Sequence, residues 1–245
     1  MPANETDAIG LLVQKLARLS PLTESDRQAI RSLPFIFKSA RSGQLLVRDG
    51  DRPTQCCVLL SGYACRYKTT SAGGRQIVSF HLPGDLLDAQ HLLLAQADHN
   101  VQVIAEATIA WIAQDKLRAV VRAHPAIGEA IWRDTLIEAS IFREWVLNIG
   151  RRDARSRIAH MLCEFAMRHE AAGLGSPERF DLPMTQEDVA DATGLTPIHV
   201  NRMLQALSAD GVIARDKRRV HIVNWARMRQ VADFDASYLH EAIAA

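Results

Sequence analysis

The chain has 245 residues, a formal net charge of +1, 48% hydrophobic and 23% charged residues, which is the composition of a soluble globular protein with room for one large or two small cores. Met1 to Gly10 carries Glu5 and Asp7 and no basic stretch, and the longest apolar run, Val101 to Ala113, is short and broken by Glu106, so neither a secretory signal nor a bilayer span is expected. The four cysteines, at 56, 57, 65 and 163, form no spaced framework, which suits a reducing, cytoplasmic setting. No P-loop, nucleophile elbow or HExxH set is present, and no enzyme is expected.

In chain order, Ile9, Leu12, Val13, Leu16 and Leu19 predict a first helix, and Thr23-Glu24-Ser25-Asp26 opens a second that Pro34 ends. Short β-rich segments follow at 44–47, 55–60, 63–69, 75–81 and 102–113, separated by the turn signals Gly43, Asp49-Gly50-Asp51, Ser61-Gly62, Ser71 to Gly74 and Leu82-Pro83-Gly84. That spacing predicts a compact β barrel or roll. Its stretch of His81, Asp85, Asp88, His91, Asp98 and His99 matches no standard metal-ligand spacing, and these are read as loop and surface residues with their own hydrogen bonds. Adjacent Cys56 and Cys57 would point to opposite faces of a strand and cannot easily chelate together. Buried structural cysteine is the reading for all four.

From Asp115 the apolar period becomes helical. After His124-Pro125, the positions Ile127, Ile131, Leu136, Ile137, Ile141, Trp145 and Leu147 make a broad apolar surface on one long helix, with Asn148-Ile149-Gly150 read as a hinge. A helix over 151–168 follows, whose Arg151, Arg152, Arg155 and Arg157 are read as a solvated or salt-bridged face. After a loop at 171–177 and a short strand at 180–182, the segment 185–202 holds two short helices and a glycine turn. Thr185 and Asp188 suit a capping box, Gly194 the turn, Thr196 an N-cap and Pro197 the first helical position. Val200, Met203, Leu204 and Leu207 give the second helix, 196–209, its inner face. Strand, polar turn and strand over 211–223 read as a wing, and a last helix is expected over 225–243. From Thr196 to Val223 five Lys/Arg face two acids, a local +3, where a phosphate backbone would lie.

Paired amphipathic helices around a glycine are common in proteins that never touch DNA. The capped second helix, its Arg202 and the basic wing, in that order, favour a helix-turn-helix DNA reader. The rival from another class is a module sensing a small molecule or metal, whose winged helix serves protein contacts.

The run MTQEDVADATGLTPIHVNRMLQALSADGVI resembles the DNA-binding end of the Crp/Fnr family (cyclic-AMP receptor / fumarate-nitrate regulator). QLLVRDGD, CCVLLSGYACRY and GGRQIVSFHLPGDLLD resemble the same family's cyclic-nucleotide-binding roll. The resemblance implies an α+β protein with an effector-like β roll and N-terminal helices over 1–114, a connector and dimerisation helix over 115–150, and a winged helix-turn-helix with a C-terminal helix over 151–245. It implies a homodimeric transcription regulator that reads an inverted repeat, with double-stranded DNA and RNA polymerase as partners. Ile131, Ile137, Ile141 and Trp145 would then lie in the dimer interface. Arg202 would read guanine, with Ile198, His199 and Asn201 as further base readers. Thr185, Gln186, Thr196, Lys217, Arg218 and Arg219 would hold phosphates. The family carries a Glu where Ile198 stands here.

Ligand-binding members carry a Gly-Glu pair for the ribose and an Arg followed by a small hydroxyl residue for the phosphate. Here Gly84 and Asp85 occupy the first place, and the second reads Ala97-Asp98-His99-Asn100, with no Arg or Lys between Arg75 and Lys116. Gly84, Asp85 and His99 are the candidate effector residues, and the missing cation argues against a cyclic nucleotide. An iron–sulfur cluster is not expected, since no cysteine precedes Cys56. A metal or haem site is the functional alternative for the His81 to His99 stretch, and haem is left open.

Overall fold

The structure is a computed structural model and describes residues 5–240. The described residues divide into two compact units: one of residues 5–68 with Phe80–Ala139, the other of Thr69–Ser79 with residues 140–240.

The first unit opens with α1 (Glu5–Leu19) and α2 (Glu24–Arg31). Thr23 caps α2 in a full capping box with Asp26, as its spacing requires. The strands are β1 (Ile36–Ala40), β2 (Leu45–Val47), β3 (Gln55–Thr69), β4 (Arg75–His81), β5 (Leu86–Leu87) and β6 (Asn100–Ala113). They form a six-stranded sheet in the order β1-β6-β3-β4, with β2 on β6 and β5 on β3. Strand β1 escaped the sequence reading because its IFKSA alternation is weak and mostly exposed.

The two segments expected at 55–60 and 63–69 are one strand. Its register against β6 shifts between Leu59, Ser61 and Tyr63, so Ser61-Gly62 is a bulge and not a reversal. A glycine with positive φ serves a turn and a bulge equally well, which is why the residue pattern misleads. Gly62 has φ +76°, and a Cβ there would lie 2.2 Å from the Glu106 carbonyl oxygen, so no other residue fits. Two apolar cores serve this unit. One gathers Leu12, Leu16, Ile30, Val58, Ile112 and Ile127 between helices and sheet, and the other fills the roll with Leu59, Leu87, Val101, Val103 and Ile109.

Helices α3 (Gln114–Ala123) and α4 (Pro125–Arg151) follow, parted at His124. Asn148-Ile149-Gly150 lies inside the last turn of α4 and is not a break. The chain leaves the helix at Arg152, and Asp153 caps α5 (Ala154–Ala171) through its side chain. Then come β7 (Arg179–Asp181), α6 (Gln186–Thr193), α7 (Pro197–Ala209), β8 (Ile213–Asp216), β9 (Arg219–Ile222) and α8 (Trp225–Ala232). Strands β7-β9-β8 make a small antiparallel sheet. Ile158, Leu162, Val189, Val200, Leu204, Val212 and Met228 are among the buried side chains of this second unit.

The expected helix over 225–243 is shorter. Asp233 adopts φ +47° and ends α8, and a 3-10 turn covers Ala236–Leu239. Residues 241–243 of that expectation, and 1–4 at the other end, lie outside the described residues. The short tail does have a packing role. Phe234 and Tyr238 pack on His160 at ring separations of 5.2 and 5.8 Å and on each other at 6.1 Å. The buried Glu164 carboxylate accepts from the Tyr238 hydroxyl at 2.9 Å and from the Trp145 indole N–H at 3.0 Å.

His160 sets an acid limit on this unit. Burial, and secondarily Arg152, push its pKa from 6.5 down to about 3, and Glu144 Oε1 lies 3.3 Å from its Nε2. Below pH 6.5 the unfolded chain binds a proton that the folded one refuses. The associated stability is therefore complete above pH 6.5 and is lost as pH falls toward 3, at up to about 1.4 kcal/mol per pH unit. Urea midpoints measured from pH 7 to 4 should fall more steeply for wild type than for His160→Phe. Parallel curves would mean that Glu144 stabilises an imidazolium in the native state.

Candidate nucleic-acid interface

The helix pair is built by local caps. Thr185 accepts from the Asp188 N–H, and Asp188 Oδ2 accepts from the Thr185 backbone N–H and hydroxyl at 3.0 and 2.8 Å. Gly194 ends α6 at φ +66°. Thr196 then accepts from the His199 N–H, with Pro197 as the first residue of α7. Arg157 Nη1 donates to the Thr193 carbonyl at 3.2 Å, placing a cation at the negative end of α6. Two of the three acids of α6 are engaged as well: Arg75, on the Thr69–Ser79 segment that belongs to this unit, binds Asp188 at 2.8 Å and Asp191 at 2.5 Å.

Helix α7 buries Val200, Leu204 and Leu207 and turns Ile198, Arg202 and Gln205 outward, with His199 and Asn201 half-buried. The four candidate base readers thus share the first two turns. Asn201 Oδ1 accepts from Gln186 Nε2 at 3.3 Å, which joins a base-reading candidate to a phosphate-binding one. Lys217 and Arg218 are exposed at the tip of the β8–β9 wing, where Lys217 takes φ +54°. Arg219 is exposed and pairs with Asp181 at 3.2 Å. Of the phosphate candidates, Thr185 has its hydroxyl proton engaged by Asp188 and the Thr196 hydroxyl oxygen serves as a cap. Of the arginines at the start of α5, Arg152 pairs with Glu144 and Asp233 and Arg155 with Asp210, a salt-bridged face as expected.

The candidate interface residues of α4 divide. Ile131, Ile141 and Trp145 are buried in the chain's own packing and Ile137 is half-buried, whereas Trp132, Leu136, Val146 and Leu147 stand exposed. The stripe read from sequence held Leu136 and Leu147 of the exposed face together with the buried positions and missed Trp132 and Val146, and only packing distinguishes the two faces.

The effector candidates also change character. His81, Asp85, Asp88, His91 and His99 are not surface residues; all are buried, and Asp98 alone of the set is exposed. Although no cation lies between Arg75 and Lys116 in sequence, two reach this region from outside that window. Arg66 donates to Asp88 at 3.3 Å and to Glu138 at 2.9 Å, and Lys15 binds Asp85 and Asp134. His99 Nε2 lies 2.8 Å from Asp88 and its Nδ1 2.7 Å from Asp98. Burial would raise the Asp88 carboxyl, but the His99 hydrogen bond and the Arg66 charge hold it below its usual range. Gly84, at φ +97°, makes the turn that brings Asp85 to Lys15 and His81. All four cysteines are buried, and burial raises the thiols of Cys56 (to about 12), Cys57 and Cys163, so none of these three is a ready thiolate. No helix among the described residues is long and apolar enough to cross a membrane.

A β roll carrying internal ion pairs, followed by a long helix and a capped, winged helix pair with a basic tip, defines a DNA-binding regulator class. Family models agree: residues 37–124 match the cyclic nucleotide-binding domain and 156–231 the Crp-like helix-turn-helix domain. The transcriptional activator protein FnrL of Cereibacter sphaeroides is 32% identical over 204 residues, covering 82% of each chain. The nitrogen fixation regulation protein FixK of Rhizobium meliloti is 28% identical over 203 residues, covering 82% of this chain and 89% of that one. The structure of FixK2 from Bradyrhizobium japonicum superposes with a TM-score of 0.74 at 24% identity, over 83% of this chain and all of that one. The chain belongs to the Crp/Fnr family of transcriptional regulators.

Proposed function

We propose that this regulator acts as a homodimer that places two α7 helices in successive major grooves of an inverted repeat, about 34 Å apart. The observation that carries the reading is the exposed Arg202 on the capped first turns of α7, in a unit whose exposed wing tip carries Lys217 and Arg218. Arg202 reads a guanine O6/N7 edge, and Ile198, His199 and Asn201 face neighbouring bases. Gln186, Lys217, Arg218 and Arg219 contact phosphate, with Thr185 and Thr196 contributing mainly through the helix ends that they cap.

Trp132, Leu136, Val146 and Leu147 stand four, ten and one residues apart along α4, a spacing that at 3.6 residues per turn gathers them on one face suited to a twin helix. Division of labour follows the expected boundaries: 1–114 for the roll, 115–150 for the connector, 151–245 for DNA. RNA polymerase is the further partner that the family implies.

The roll residues do not fit a cyclic nucleotide. The arginine in this region is held by two carboxylates, and Asp88 and Asp98 stand around His99, where a phosphate anion would meet repulsion. Activity is therefore independent of cyclic AMP. Cys56, Cys57 and Cys163, whose thiols burial pushes up, likewise offer poor ligands to an iron–sulfur cluster.

Fluorescence anisotropy with the duplex TTGA-N6-TCAA and a scrambled duplex, titrated from low to moderate salt, tests the reading. Affinity should fall with salt and ignore cyclic AMP. Lys217→Ala should weaken both duplexes alike and reduce the logarithmic salt slope by about 1 per contact. A wild type with no salt-dependent affinity for any duplex would overturn it.

A further inference from the structure

Ile198 is the most exposed large apolar side chain of the winged-helix unit, at 84%. It stands in the first turn of α7, four residues before Arg202 and therefore on the same face. No described residue covers it. A major groove offers few apolar groups, chief among them the 5-methyl of thymine. An isoleucine at this place cannot accept from cytosine N4 or adenine N6, so burying it against either donor would leave that donor dry and unpaired. Its neighbour Asn201 reinforces the bias. The Asn201 Oδ1 already accepts from Gln186, which turns the amide into a donor toward the groove and matches an acceptor such as thymine O4 or guanine O6. An adenine would demand both amide atoms at once.

We infer that Ile198 is a specificity residue that reads a thymine 5-methyl group, and that each half-site carries a thymine within about two base pairs of the guanine read by Arg202. The distance follows from helix geometry. Four residues advance about 6 Å along α7, close to two base steps of about 3.4 Å. The inference rests on α7 being the DNA-reading helix.

The test begins with wild-type protein selecting from a library of random-sequence duplexes. Each thymine of the selected half-site is then replaced singly by deoxyuridine, which deletes the methyl and leaves every hydrogen-bonding atom. One thymine per half-site should be sensitive, with roughly fourfold weaker binding, the contribution of one buried apolar carbon. Ile198→Ala should bind the thymine duplex more weakly by a similar or larger factor and no longer distinguish thymine from deoxyuridine there. The side chain is exposed, so the variant keeps its core, and equal affinity of wild type and variant for random duplex would confirm intact phosphate contacts. A selected duplex in which no deoxyuridine matters, or in which wild type and Ile198→Ala respond alike, would overturn the methyl contact and leave the DNA reader standing. Failure to select any sequence would overturn both.

Discussion

Arg202→Ala will lose about 1–3 kcal/mol of specific DNA affinity while its binding to random duplex changes little. The guanidinium is exposed on the outer face of α7, and the core side of that helix is held by Val200, Leu204 and Leu207. Truncation therefore removes a base contact without touching the packing. A bidentate arginine–guanine pair is worth about that much discrimination against the wrong base, and the effect should concentrate at one base pair per half-site. Competition binding of wild type and variant, on the selected duplex and on single-base variants of it, separates the possibilities. Relaxed preference at one position with an unchanged salt slope is the expected result. A uniform loss on all sequences, with a salt slope reduced by about 1, would instead assign Arg202 to a phosphate.

Arg66→Met should destabilise the β-roll unit by about 3–5 kcal/mol, the usual cost of breaking a buried ion pair. The Arg66 and Asp88 side chains are 5% and 2% exposed, and Glu138 shares the guanidinium. Removing the cation leaves the Asp88 carboxylate buried without its arginine and Glu138, 26% exposed, without its nearest cation. Combining Arg66→Met with Asp88→Asn should restore part of the loss, because the second change deletes the charge that the first abandons. The pH dependence has a definite sign. Asp88 is held below its ordinary value of 3.8, so its contribution is complete above about pH 4 and is lost as pH falls below that. The wild type's advantage over Arg66→Met should shrink on the same acidification. Urea unfolding followed at pH 7 and in the acid range would show it, and a loss under about 1 kcal/mol at pH 7 would refute the internal-cation role.

The sequence alone determined whatever rests on bonds between near neighbours. The helix start at Thr23, the capping box at Thr185, the Thr196 cap with Pro197, the Gly194 turn and the basic wing were all legible, because each is made by residues a few positions apart. Period-two and helical patterning located most strands and the long helix for the same reason. Only the tertiary structure decided which way a surface faces and which charges meet. Arg66 finds Glu138 72 residues away, and Lys15 finds Asp134 across 119. No spacing rule reaches that far, so a roll that looked empty of cations in one window contains two. On α4 a wide apolar stripe could not say that Ile131, Ile141 and Trp145 turn inward while Trp132, Leu136, Val146 and Leu147 stay outside. Local hydrogen bonds are written in neighbouring residues, whereas burial and buried charge depend on what the rest of the chain brings alongside.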